Sequence, residues 1–185
     1  QSMFKWQFPV VLGWDLAGKI VALGDKVQGF KIGDEVFARP DIDPIGTNGS
    51  YAEYTAVKED KLALKPENIS FEEAAAVPLA GLTALQMLRQ LNLEAGQKIL
   101  IQGGAGGVGI FAIQLAKIFG AFVATTASEN NTEFVKSLGA DLVIDYHENT
   151  ITEVLSDYDA VLDTVNDIEG GISILKTGGS FVTIS

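Results

Sequence analysis

The sequence contains no cysteine and a single histidine, His147. Without a thiol there can be no disulfide, no thiolate nucleophile and no cysteine-ligated structural zinc. With one imidazole, a histidine-rich metal site and a Ser/His/Asp triad are both disfavoured, and no metal ligand set is expected. Basic residues are scarce too: 13 Lys and Arg stand against 24 Asp and Glu, a formal net charge of −11. A nucleic acid or an anionic membrane surface wants a basic face, so neither is expected as a partner. Nowhere do about 18 apolar residues run together, so no transmembrane helix is expected. The opening QSMFKWQF lacks the length and small-residue cleavage pattern of a signal peptide. A soluble, cytoplasmic protein is the expectation. No segment is low-complexity and no internal repeat is evident. A hydrophobic content of 47% over 185 residues supports a sizeable core.

What is present centres on Lys98–Gly120, KILIQGGAGGVGIFAIQLAKIFG. The apolar run Ile99-Leu100-Ile101 reads as a strand. A glycine cluster follows, and then an apolar helical pattern. Gly104, Gly106 and Gly109 fit G-x-G-x-x-G between a strand and a helix, the context that gives the motif meaning. One glycine permits the turn, one lets the backbone approach a pyrophosphate, and one lets the helix pack closely on the strand. The helix start then offers unpaired N–H groups and the positive end of a dipole to phosphates. A flexible glycine link is the plainer alternative, and the flanking pattern argues against it.

Before this stretch the chain reads as short strands between glycine turns: Val10–Leu12, Ala17–Leu23 and Glu35–Ala38. Residues 39–48 read as an exposed loop. Ser50–Val57 alternates and is rich in aromatic and β-branched residues, which predicts a strand. Together these predict a small β-rich unit. Ser70 and Glu73 have the spacing of a capping box for a helix over Phe71–Ala76. A second helix is expected over about Leu79–Leu91. The domain boundary is placed at Pro78, giving units 1–78 and 79–185.

After the glycine loop the pattern becomes repeated βα. Strands are expected at Ala121–Thr126, Asp141–Asp145, Ala160–Asp163 and Ser180–Ile184, with helices near Thr132–Leu138, Thr150–Ser156 and Ile168–Leu175. Near-continuous apolar strands alternating with helices predict an α/β fold, a doubly wound Rossmann-type parallel sheet. Such a fold has six strands and five are present, so the chain reads as a fragment.

An acidic residue at the end of the second strand would hold the ribose 2′-OH of NAD. Here that strand ends Thr125-Thr126-Ala127-Ser128, with no carboxylate before Glu129. Hydroxyls there can donate to a 2′-phosphate, which favours NADPH over NADH. Thr126 and Ser128 are the candidate donors. Ser128 could instead cap the following helical region.

Phe8–Ala38 (FPVVLGWDLAGKIVALGDKVQGFKIGDEVFA), NGSYAEYTAV, AAAVPLAGLTAL, GAGGVG and KSLGADLVIDY follow one another in an order that resembles the medium-chain dehydrogenase/reductase superfamily. The resemblance is to its zinc-independent, quinone-oxidoreductase-like branch. It implies a partial GroES-like catalytic domain before a partial dinucleotide-binding domain. Zinc-dependent members carry Gly-His-Glu where this chain has Gly13-Trp14-Asp15, and tryptophan cannot ligate. By position the resemblance places Thr83 near the nicotinamide and Gly106, Gly107 and Val108 on the pyrophosphate. It sets Ser128 and Tyr146 on the adenosine 2′-phosphate. Tyr146 could equally cover the core at a strand end. Thr164, just past a strand, faces the ligand crevice of such a sheet or caps the next helix. Asp15, Tyr51 and Tyr54 are read as structural, and no catalytic residue is named.

The implied activity is hydride transfer from NADPH to a quinone or an α,β-unsaturated carbonyl compound. A non-catalytic NADPH-binding protein and the enoyl reductase domain of a synthase are the alternatives. The apolar residues of Gly109–Ile118 and Phe181–Ile184 suit a homodimer, although a buried core accounts for both more simply.

Overall fold

The computed structural model describes residues 8–41, 46 and 48–184. Expectations resting on residues 1–7, 42–45, 47 and 185 lie outside the described residues. The chain divides into two compact units between Leu79 and Ala80.

The first unit carries a three-stranded antiparallel sheet of β1 (Leu16–Lys19), β2 (Glu35–Ala38) and β3 (Leu62–Leu64), in that order. Helix α1 (Phe71–Ala75) packs on β1 and β2. Its capping box forms as the spacing predicts. The Glu73 N–H donates to Ser70 Oγ at 3.1 Å, and the Ser70 N–H donates to Glu73 Oε2 at 2.8 Å.

Two expected strands do not form. Val10–Leu12 and Ser50–Val57 lie side by side without a regular ladder, linked by Ser50 N–H to the Gly13 carbonyl and Tyr51 N–H to the Leu12 carbonyl. Gly13 has φ +102°, which breaks the extended run. Farther on, the Asn48 side chain donates to the Ala56 carbonyl and accepts from the Thr55 hydroxyl, folding the segment on itself. Local side-chain chemistry outweighs the strand propensity of the tyrosines here. The predicted strand over Ala17–Leu23 is also cut short, because Gly33 N–H pairs with the Ile20 carbonyl and closes the turn.

Helix α2 (Pro78–Gln90) begins at the proline, whose missing N–H is no loss at a first helical position. The second unit is a five-stranded parallel sheet. Its strands are β4 (Lys98–Ile101), β5 (Phe122–Ala127), β6 (Leu142–Asp145), β7 (Tyr158–Asp163) and β8 (Leu175–Thr183). Their spatial order is β6-β5-β4-β7-β8, the reversal about the first strand that defines a doubly wound sheet. Between them run α3 (Gly107–Ile118), α4 (Thr132–Ser137), α5 (Ile151–Val154) and α6 (Ile168–Ser173). The pleat sorts β4 onto two cores. Ile99 and Ile101 join Leu88, Ile113, Val123 and Leu162, while Leu100 joins Ala124, Ile144, Val161 and Ile174. Both faces of the sheet are thereby covered, so its strands read as continuous apolar runs. β8 pairs regularly with β7 from Ser180 to Thr183. The residues between Leu175 and Ser180 depart from register, around Gly178 at φ +82°.

Candidate functional site

The first helix-forming glycine loop sits at the carboxyl end of the central strand. β4 ends at Ile101, and Gln102 to Gly106 lead into α3 with Gly106 as N-cap. The sharp turn falls on Gly103, at φ +78°, one residue before the three motif glycines. Gly103 N–H donates to Thr126 Oγ1 at 2.8 Å, Gly104 N–H to the Thr126 carbonyl at 2.9 Å, and Gly106 N–H to the Gly103 carbonyl at 3.0 Å.

The motif glycines divide into two kinds. A Cβ at Gly104 would overlap the Thr125 side chain, and one at Gly109 would overlap the Gly103 carbonyl and the Gly104 backbone. The fold itself demands these two. A Cβ at Gly106 would meet only the Gly103 carbonyl at 3.3 Å, and one at Gly107 only Ala80 Cβ at 3.8 Å. Nothing in the protein requires Gly107 to be bare, while at Gly106 the Gly103 carbonyl would have to give a little, and the space the two leave is a cradle on the surface. The first-turn N–H groups of Gly107, Val108 and Gly109 have no carbonyl four residues back and open at the same end of the helix. Bare backbone, orphan donors and a helix dipole suit a pyrophosphate. Thr83 lies one turn beyond Ala80 on α2 and shares its face.

At the end of β5 the two candidate hydroxyls have different surroundings. Thr126 is 6% exposed and its oxygen accepts the Gly103 N–H, so it braces the loop from within. That position does not suit a contact to a 2′-phosphate, the role the sequence offered it. Ser128 is half-buried. Its Oγ accepts from Asn131 Nδ2 at 3.0 Å, which leaves its own hydrogen to donate elsewhere. It makes no side-chain cap to the following turn. Tyr146, just past β6, is 57% exposed and therefore covers no core. Its ring leans on that of His147, with centroids 4.4 Å apart.

Thr164 follows β7. Its hydroxyl donates to the Gln102 carbonyl at 2.7 Å and faces Gly103. It caps no helix, because the N-cap of α6 is Asp167, whose side chain accepts the Gly170 N–H. Sequence reading missed the polar network behind Thr164. Asp163 is wholly buried and accepts from the Val165 N–H at 2.9 Å, the Asp167 N–H at 3.3 Å and the Thr183 hydroxyl at 2.9 Å. Gln102, 1% exposed, donates to Asp167 Oδ2 at 3.0 Å. The available signal was polar residues closing otherwise apolar strands, Gln102 after KILI and Asp163 after DAVL.

The first unit holds a separate pocket of about 420 Å³ lined by Leu12, Gly13, Trp14, Asp15, Tyr51 and Leu79. Asp15 Oδ1 accepts the Leu79 N–H at 2.6 Å. Tyr51 and Tyr54 are 80% and 75% exposed. Among the described residues no group of His, Asp and Glu gathers to hold a metal ion, and no helix is long and apolar enough to cross a membrane.

Comparison with known proteins agrees with this arrangement. Residues 1–67 match the alcohol dehydrogenase GroES-like domain, and residues 107–185 match the family described as zinc-binding dehydrogenase. The chain is 47% identical over 182 residues to a 2-methylene-furan-3-one reductase of Solanum lycopersicum, covering 96% of this chain and 47% of that protein. It is 45% identical over 182 residues to the chloroplastic NADPH-dependent alkenal/one oxidoreductase of Arabidopsis thaliana, with the same two coverages of 96% and 47%. The solved structure of a quinone oxidoreductase from Coxiella burnetii superposes with a TM-score of 0.89 at 42% identity, over 96% of this chain and 56% of that one. The chain thus spans about half the length of the curated relatives it matches. On its fold, its glycine loop and these matches, the chain belongs to the medium-chain dehydrogenase/reductase superfamily, in the quinone-oxidoreductase-like branch.

Proposed function

We propose that the protein is an NADPH-dependent, zinc-independent reductase of quinones or α,β-unsaturated carbonyl compounds. The observation that carries the reading is the cradle at Gly106 and Gly107, bare at Gly107 where the fold does not need glycine, and set at the start of α3. Bound NADPH would supply a hydride to a quinone or to the β-carbon of an enone, and the electron pair would come to rest on the carbonyl oxygen. The N–H groups of Gly107 and Val108 would hold the pyrophosphate beside Gly106. Thr83 would border the nicotinamide end, and Thr164 with Gln102 would fix the loop. Ser128 and Tyr146 would take the 2′-phosphate. No side chain is needed as the proton donor, since solvent can protonate the enolate.

The absence of cysteine and the tryptophan at position 14 support zinc independence. Without a Lewis acid, oxidation of a plain alcohol loses its usual assistance. The flat ring of Trp14, 37% exposed in its pocket, suits a planar conjugated substrate. The names of the tomato and Arabidopsis relatives support the enone class, and that of the Coxiella structure supports quinones. The proposal includes a homodimer, suited by the exposed Ile118 at the end of α3, and a cytoplasmic location.

The test is turnover. The full-length protein should oxidise NADPH faster than NADH with at least one member of a panel of quinones and alkenals. A nucleotide-binding protein that turns over none of them would leave the non-catalytic alternative and the enoyl reductase of a synthase.

A further inference from the structure

We infer that His147 is the side chain that distinguishes NADPH from NADH by donating to the 2′-phosphate. This deepens the NADPH reading and rests on it.

A phosphate monoester carries a charge of about −1.5 to −2 at neutral pH and is held by cations or strong donors. The second unit has five Lys and Arg with which to do this: Arg89, Lys98, Lys117, Lys136 and Lys176. Three are committed at the amino ends of strands, the wrong edge of the sheet for a nucleotide. Lys98, the first residue of β4, has Nζ 3.4 Å from the Ser156 carbonyl and 5.0 Å over the Tyr158 ring. Lys117 pairs with Asp141, just before β6, at 2.7 Å. Lys176 pairs with Asp159, near the start of β7. Arg89 lies in the last turn of α2, which leads toward the start of β4. Lys136 is turned to Glu133 of its own helix at 3.1 Å.

The carboxyl ends of β5 and β6 are acidic instead, with Glu129 and Glu133 after β5, Asp145 closing β6 and Glu148 after it. In them His147 and Lys136 are the imidazole and ammonium donors suited to a phosphate.

Its placement fits. β5 and β6 run in register with Ala127 opposite Asp145, and Ser128 and Tyr146 are the next residues of the two strands' chains beyond that last pair. His147 follows Tyr146. Its backbone N–H donates to Asp145 Oδ1 at 2.9 Å, which fixes the turn, and its ring rests on the Tyr146 ring. The ring is exposed, and among the described residues its nitrogens make no hydrogen bond. An imidazole offers an N–H donor whether neutral or charged. The chain therefore presents a steadied ring with a free N–H donor just past the end of β6, the strand paired with the one that leads into Ser128.

The experiment is calorimetric titration of the full-length protein and its His147→Ala, His147→Lys and His147→Glu variants with NADPH and with NADH. NADH is the control, since it lacks only the 2′-phosphate. His147→Ala should weaken NADPH about five- to tenfold and leave NADH within about twofold, as loss of a hydrogen bond to a charged group would. His147→Lys should restore the preference, and His147→Glu should abolish it. A wild-type preference for NADPH that survives His147→Ala overturns this inference and leaves the NADPH reading standing. Equal weakening of both nucleotides overturns it too, because the ring would then contact the shared adenosine. A wild type that binds both alike, or neither, overturns the NADPH reading and this inference with it.

Discussion

The backbone N–H of Gly103 donates to the hydroxyl of Thr126 at 2.8 Å, across 23 residues of sequence. This bond ties the turn of the glycine loop to the end of the neighbouring strand, where Thr126 is buried. Thr126→Val keeps the shape and removes the acceptor. The Gly103 N–H then loses its partner, at about 1–3 kcal/mol. We expect a lower urea midpoint and about tenfold weaker binding of NADPH and NADH alike, with Thr126→Ser close to wild type. A shift confined to NADPH would mean that Thr126 serves the 2′-phosphate after all.

The two kinds of motif glycine separate in the same assay. Gly109→Ala drives a methyl into the Gly103 carbonyl, and relief requires the loop to move. Overpacking of this kind costs about 1–3 kcal/mol. Gly107→Ala meets only Ala80 Cβ at 3.8 Å and sits at the first helical position, so it should fold as well as wild type or slightly better. If the cradle holds a pyrophosphate, Gly107→Ala should still lose at least about tenfold in nucleotide affinity. Unchanged affinity in a stable Gly107→Ala protein would remove the cradle from the site.

The doubly wound half was legible because its signals are local and repeated. Apolar runs of strand length alternate with helices, and the central strands β4, β5 and β7 are buried on both faces, so propensity and tertiary demand agree. The β-rich half was less so. Ser50–Val57 has the composition of a strand, yet Asn48 and the left-handed Gly13 decide its path, and the bond from Ser50 to Gly13 joins residues far apart in sequence. The same holds for the site. The motif located the loop, but the division of labour between Thr126 and Ser128 depends on which hydroxyl faces inward. One strand position settles that, and composition does not contain it. Asp163 was passed over for a similar reason, since a carboxylate ending a strand looks like a solvated tip until its three donors are seen.

Those donors make Asp163 the anchor of the turn after β7. Asp163→Ala would leave the Val165 and Asp167 N–H groups unpaired and should cost about 2–3 kcal/mol. Asp163→Asn can still accept both N–H groups through its carbonyl, and its amide can donate to the Thr183 hydroxyl. We expect it to recover most of the stability, read as the urea midpoint at fixed m-value. Equal losses in both variants would show that the charge matters there, beyond the acceptors.

Asp159 offers a test by pH. Lys176 beside it, and then the Lys98 N–H at 2.7 Å, hold its carboxyl below the ordinary carboxylate range, against a smaller upward push from burial. A group with a lowered folded value binds its proton more readily in the unfolded chain. Its contribution is therefore complete above the unfolded value, about 3.9, and is lost as pH falls through the lower folded one. Asp159→Asn keeps an acceptor for the Lys98 N–H and removes only the charge. It should lower stability by about 1 kcal/mol at neutral pH, with the gap to wild type steady down to about pH 5. Below about pH 4 the gap should close, as the wild-type carboxyl takes up its proton and becomes as neutral as the amide. Urea midpoints measured from pH 7 to pH 3 would follow this directly. A gap that stays constant across that range would mean the Lys176 pair contributes nothing through charge, and that the substitution acts by packing alone.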